Sequence, residues 1–179
     1  MSKKIILRFR DLITENDGTI NDHHSLINEY GEVWWGWWMK QQETPPREVF
    51  KDISIEIKNN GFAEAYLFNS GLNKFYKATI VKILLAPKSY TIGTPDPKTS
   101  PTYYHRGSYP AWFLITNIEQ VELSSLCLKY VSFPTLQENK YDSFINNQIK
   151  SFNELAEHNV TLWVVEKEHC NEAIINHRS

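Results

Sequence analysis

The segment 32–39 contains four of the six tryptophans of this chain, and one glycine, Gly36, interrupts them. In an extended strand successive side chains point to opposite faces, so Trp34 and Trp38 would share one face with Gly36 between them. Two indoles around a position without a side chain would form a slot whose flat walls suit a planar or cationic ligand. The other face would enter a core and carries Val33, Trp35, Trp37 and Met39.

A second interpretation of this segment is a strand buried on both faces, in which Gly36 relieves crowding between rings. Runs of aromatic residues more often belong to a core than to a ligand cage. The segment indicates a binding module, but it does not identify the ligand.

The length and charge of the chain limit its function. The 179 residues fit one domain, or one domain with a helical extension, and an apolar content of 41% is enough for a substantial core. The net charge is −2, whereas a broad, nonspecific duplex binder would be more basic. Any role in nucleic-acid binding is therefore expected to be local, short and selective.

The cysteines and the apolar pattern predict a cytoplasmic protein. Cys127 and Cys170 lack CxxC partners, and we expect two reduced thiols. The apolar stretch before Arg8 is too short for a signal peptide, and no apolar run approaches the length of a membrane span.

The pattern of apolar and turn-forming residues predicts a mixture of helices and strands. The predicted strands are 4–12, 33–39, 62–69, 74–86, 111–121 and 160–166, and the predicted helices are 19–30, 46–60 and 141–158. The loop 87–110 holds five of the eight prolines and many tyrosines. Loops of this length are often binding loops or lids, although a mobile surface connection is the alternative.

Sequence signatures of catalysis are missing. The chain has no GxSxG, Walker-type or HExxH motif, and its carboxylates show no paired spacing. His23 and His24 would point about 100 degrees apart on a helix, which favours structural histidines over a metal pair. We therefore predict no catalytic residue, metal or cofactor. Arg8 and Arg10 share a strand face and could contact phosphate, although solvated charges are the alternative.

The order of the predicted elements resembles a known superfamily. A strand rich in tryptophan leads to a helix, residues 65–70 turn through Gly71 into 74–81, and a strand at 112–119 follows the long loop. This order is similar to that of the PUA-like superfamily, in particular EVE and the related YTH and ASCH domains. The resemblance covers about residues 32–123 and rests on element order and aromatic positions. Four clustered tryptophans, and an extra strand and helix before them, depart from the usual pattern and leave the ligand open.

The resemblance implies an α+β fold, a small and strongly bent mixed β-barrel with flanking helices. It also implies one domain over 1–179, with an N-terminal strand and helix in 1–31, the barrel core in 32–123 and a C-terminal helix and strand in 124–179. The pocket would hold one modified or flipped base between aromatic rings, because stacking there can offset the cost of extruding the base.

The residues predicted to bind the ligand follow from the tryptophan segment and from this resemblance. Trp34 and Trp38 would be stacking walls, Asn69 and Ser70 would read base edges, and Tyr104 would be a lid. The phosphate contacts would be Arg106 and Lys40. The remaining predicted contacts are Trp35, Tyr66 (or Phe68) and Tyr103.

Three functions remain open from the sequence. The preferred one is a non-catalytic module for a modified nucleic acid or nucleotide, with an effector protein encoded separately as a conceivable partner. The alternatives are a protein-interaction module with an exposed Trp/Tyr surface, and an ASCH-like enzyme that uses His105 or a carboxylate on a nucleotide or small RNA. A reader requires a concave pocket with a basic rim, whereas an interaction surface would be flat, broad and weakly charged.

Overall fold

A computed structural model describes residues 2–170 and shows, within them, one mixed sheet of seven strands with three α-helices. In chain order the elements are β1 (Lys3–Phe9), α1 (Gly18–Tyr30), β2 (Val33–Gly36), α2 (Arg47–Asn60), β3 (Ala63–Asn69), β4 (Lys74–Leu85), β5 (Ala111–Val121), β6 (Leu128–Ser132), α3 (Phe152–Glu157) and β7 (Leu162–Lys167). The α+β class predicted from the sequence is confirmed.

The sheet is open, so the predicted closed barrel is wrong. The strand order is β2-β5-β4-β3-β1-β7-β6, with β1 and β3 parallel and the other pairs antiparallel. The two edges, β2 and β6, do not pair with each other. A single bridge between Glu43 and Thr135 joins the segments that follow them. Pro45 and Pro46 come next and have no N–H groups to donate, so a closing ladder cannot continue there.

The two faces of the sheet bury separate clusters, as the alternation of side chains requires. Ile5 and Leu7 of β1 lie in a first cluster with residues of α1 and α2, whereas Ile6 lies in a second. The second cluster also contains residues of α3 and of the segment before it. In β3, Leu67 belongs to the first cluster and Tyr66 to the second. The cavity described below borders the first cluster.

The predicted helix at 141–158 is wrong over most of its length, since only Phe152–Glu157 is α-helical. The backbone before it pairs with β6 instead. Tyr130 exchanges hydrogen bonds with Asn146 and Asn147, and the N–H of Ile149 donates to the carbonyl of Leu128. Asn146 has a φ of 69°, a left-handed conformation that a helix cannot contain. Apolar residues at helical spacing thus pack into the second cluster from a backbone that is not helical.

The prediction of two reduced thiols is also wrong, because Cys127 and Cys170 form a disulfide with a Cα–Cα distance of 5.5 Å. Antiparallel pairing of β6 with β7 brings the residue before one strand close to the end of the other. Pairing between distant strands cannot be seen in cysteine spacing. Within residues 2–170, no helix has the length and hydrophobicity needed to cross a membrane. The compartment stays a prediction.

Candidate ligand-binding cavity

A cavity of about 660 Å³ opens at the end of β2. Five parts of the chain form its wall: β1 with the loop after it, Thr19 in the first turn of α1, residues 35–40, the long loop after β4, and Thr161 immediately before β7. Pockets of roughly 300–1,000 Å³ are typical of small-molecule sites. The long loop is ordered here, with 3-10 turns at Pro97–Thr99 and Thr102–Tyr104 and an antiparallel bridge between Ile92 and Tyr109.

Aromatic rings make up much of this wall. Trp38 is 47% exposed and stacks on Tyr109 with 5.7 Å between ring centroids and 28° between planes. Trp35 is buried, and Phe9 packs edge-on against it at 5.1 Å. Tyr103 and Tyr104 meet edge to face at 4.8 Å. A planar ligand would therefore find both an open indole and fixed ring edges.

The positively charged rim consists of Arg8, Arg10 and Lys40, and among the residues that the structure describes no carboxylate side chain lines the cavity. None of the three forms a salt bridge within residues 2–170. Arg8 is fixed: its Nε donates to Ser70 Oγ at 2.9 Å and its Nη1 to the carbonyl of His158 at 2.8 Å. Burial, and then Arg10, lower the pKa of Arg8, but a guanidinium remains charged at neutral pH. The cavity is locally positive in a chain of net charge −2.

A family model described as Pua-like matches residues 5–175, which is nearly the whole chain. The chain belongs to the Pua-like family. The match extends well beyond the 32–123 region that carries the resemblance in the sequence, and it includes Thr161 and most of β1, which contribute to the cavity. No curated protein and no solved structure matches this Pua-like chain.

The slot predicted over Gly36 is filled by the Pua-like chain itself. The ring of Tyr109 packs over Gly36, where the open floor of the slot was predicted, and it stacks on Trp38. A Cβ added at Gly36 would stand 2.9 Å from Tyr109 Cδ2. Trp34 is buried with Tyr104 and Trp112 and does not line the cavity. The cavity therefore lies beside the predicted slot, and the indoles in its wall are those of Trp35, Trp37 and Trp38.

Replacing Gly36 by alanine is expected to lower the free energy of unfolding by about 1–3 kcal/mol, a common cost of overpacking. The added methyl group would push Tyr109 off the strand and so disturb its stack with Trp38. Urea unfolding and tryptophan emission would measure both effects. An Ala variant at Gly93, whose nearest neighbour would be 3.9 Å away, is the matched control and should change neither.

The other predicted site residues divide into two groups. Those that line the cavity are Trp35, Trp38, Lys40, Tyr103 and Tyr104. Those that do not are Trp34, Tyr66, Asn69, Ser70 and Arg106. Tyr66 belongs to the second cluster, on the other face of the sheet, and Arg106 is exposed away from the cavity. The ligand contacts predicted for both groups stay predictions.

Asn69 and Ser70 support the wall from behind. Asn69 Nδ2 donates to the carboxylate of Asp11 at 3.0 Å, which also accepts from the N–H groups of Asp17 and Thr19. Ser70 holds the guanidinium of Arg8. The hairpin after β3 thus fixes the β1–α1 loop and one rim cation, and both polar side chains are already hydrogen-bonded within the chain.

Sequence reasoning missed several residues of the wall. These are Phe9, Leu12, Ile13, Thr14, Thr19, Trp37, Met39, Thr91, Ser108, Tyr109, Pro110 and Thr161, together with the glycine Gly36. A glycine among four indoles was the one available signal that another ring lies over the strand, but the identity of that ring depends on the path of a distant loop.

Glu43 connects the segment after β2 to β7 on the far side of the cavity. Its carboxylate is 2% exposed and accepts from the N–H and the hydroxyl of Thr161 and from the N–H of Lys40. Thr161 Oγ1 in turn accepts from the indole N–H of Trp37 at 2.9 Å. Burial raises the pKa of Glu43, and these hydrogen bonds oppose that shift.

His23 lies behind the aromatic wall, 4.5 Å from the ring of Trp35. One ring nitrogen contacts the carbonyl of Thr19 at 2.7 Å. His24 contacts the carbonyl of Ile118, so the two imidazoles are separated. Within residues 2–170, no group of three or more His, Cys, Asp or Glu side chains could hold a metal ion.

The buried His23 should make stability depend on pH. Burial lowers its pKa from 6.5 to about 4. The unfolded chain then binds a proton that the folded chain does not, so the free energy of unfolding should fall by roughly 3 kcal/mol as pH drops from 6.5 to 4. Urea unfolding across this range measures it. His23→Phe should flatten the slope, leaving the part that His158 contributes, since burial lowers that pKa as well. An unchanged slope would contradict this assignment.

Proposed function

We propose that this chain is a non-catalytic module that binds a flat heterocycle carrying negative charge. This ligand would be a base or nucleotide, either within a nucleic acid or as a free nucleotide. The observation that carries the proposal is a concave aromatic cavity whose charged side chains, within the described part of the chain, are Arg8, Arg10 and Lys40. Aromatic faces stack on any base, and cations contact its phosphate.

The individual roles follow from exposure and geometry. Trp38 offers the open stacking surface, and Tyr109 supports it from behind. Burial raises the pKa of Tyr103 and Tyr104, so both phenols stay protonated at neutral pH and can donate hydrogen bonds. The Tyr103 hydroxyl lies 3.5 Å from His23 Nδ1, and the Tyr104 hydroxyl lies 3.5 Å from the carbonyl oxygen of Gly36. They are better placed than Asn69 to read the edge of a base.

The concave shape and the positive rim favour this function over the protein-interaction alternative, which predicts a flat and weakly charged surface. The titratable side chains that line the cavity are tyrosine, arginine and lysine. The proposal therefore assigns them to binding, and His105, the base considered for the enzyme alternative, contacts the carbonyl of Ser100 instead.

Tryptophan fluorescence titration with nucleosides, their monophosphates and short single strands, each with modified and parent bases, tests the proposal. We expect a monophosphate to quench more strongly than its nucleoside, with an affinity that falls as salt rises. Arg10→Gln should weaken monophosphate binding but not nucleoside binding. Arg106→Gln removes an exposed cation outside the cavity and is the matched control. Absence of quenching by all these probes would overturn the proposal.

A further inference from the structure

Two large aliphatic side chains stand in solvent at the mouth of the cavity. Leu12 is 70% exposed and Ile13 is 62% exposed, and both line the cavity with Trp38 and Arg10. Adjacent exposed aliphatic residues next to a binding cavity are typical of a surface that meets an apolar partner. Such a partner would also have to carry negative charge, because the rim of the cavity is positive.

The loop that carries this pair is held in place. Asp11 accepts hydrogen bonds from the N–H groups of Asp17 and Thr19 and from Asn69, and the N–H of Leu12 donates to the carbonyl of Arg10 at 3.0 Å. Lys74 and Asp17 close the base of the loop with a 2.8 Å ion pair. The exposure of Leu12 and Ile13 is therefore fixed by the fold, and no rearrangement is needed to present them.

We infer that Leu12 and Ile13 form a wedge that enters the base stack of a double-stranded nucleic acid while the extruded base occupies the cavity. This inference rests on the proposed function. A free nucleotide held in the cavity would leave Leu12 and Ile13 largely in solvent, since they are 70% and 62% exposed at its mouth. Extruding a base from a duplex leaves an apolar gap between base pairs, and aliphatic side chains fill such gaps in proteins that distort duplexes. Arg8 and Arg10, on the strand leading into the loop, supply the charge that phosphates on both sides of the gap require.

The test compares the Leu12→Ser/Ile13→Ser double variant with the unmodified chain. The probes are a short labelled DNA duplex with one central mismatch, its RNA counterpart, one strand of each alone, and a nucleoside monophosphate. We expect the double variant to lose about tenfold more affinity for the duplex than for single strands or for the monophosphate. The duplex that shows the loss identifies DNA or RNA as the partner. Leu136→Ser is the matched control, since Leu136 is 67% exposed and lies away from the cavity.

The outcomes separate this inference from the proposed function. Equal losses for the duplex and the monophosphate would make the loop a lid over the ligand and overturn the wedge. Unchanged duplex affinity in the double variant, or no duplex binding by a chain that does bind the monophosphate, would overturn the wedge alone. Failure of the unmodified chain to bind any probe would overturn both. Because Leu12 and Ile13 are exposed, a folding defect is not expected, and thermal unfolding would show it.

Discussion

Replacing Trp38 by alanine should weaken ligand binding by about 5- to 150-fold, because base–aromatic stacking contributes roughly 1–3 kcal/mol per base. Its melting temperature should change little, since 47% of the Trp38 side chain is already in solvent. The fluorescence titration with nucleoside monophosphates measures the first effect, with Trp35 and the other remaining indoles as reporters. Thermal unfolding measures the second.

Tyr90→Ala is the matched control for this experiment. Tyr90 is 69% exposed, lies in the long loop after β4 and does not line the cavity. Its loss should leave the affinity unchanged. A large drop in the stability of the Trp38 variant without a binding defect would instead mean that its indole belongs to the core.

Replacing Glu43 by alanine should lower the free energy of unfolding by about 3–5 kcal/mol. The change would leave the N–H of Thr161 without an acceptor in a buried position and remove the acceptors of Lys40 N–H and the Thr161 hydroxyl. Each buried donor without a partner costs roughly 1–3 kcal/mol. Urea unfolding at neutral pH is the appropriate measurement.

Glu43→Gln should lower the free energy of unfolding by an intermediate amount. Its side-chain oxygen can still accept most of these hydrogen bonds, but its NH₂ group would face a donor. Glu138→Ala removes an exposed carboxylate and should be silent. An equal free energy of unfolding for Glu43→Ala and Glu138→Ala would mean that the hydrogen bonds of Glu43 to Lys40 and Thr161 do not contribute to stability. The position of Lys40 would then have to be fixed in another way.

Local patterns predicted much of this fold. The strand at 111–121 has the bounds that its β-branched and aromatic residues indicated, and α1 begins within one residue of its predicted start. The alternation through the tryptophan segment correctly separated Trp35 from Trp34. These features depend on neighbours in sequence, so the sequence contains the information that decides them.

The features that could not be predicted depend on contacts between distant residues. Tyr109 lies over Gly36, and the sequence contains no signal of its path. The residues at 146–149 have a helical pattern but pair with β6, because those tertiary hydrogen bonds outweigh helix propensity. Asn69 looked suited to reading a base until Asp11 was found to occupy its amide.

The position of β1 in the middle of the sheet, between β3 and β7, limits how this protein can be shortened. A fragment cut to residues 32–123 would lack Arg8, Phe9 and Thr161, and it would expose the edge of β3 that β1 normally covers. Unpaired strand edges promote self-association. Expression of that fragment should therefore give aggregates. Binding experiments will require a chain that includes both β1 and Thr161.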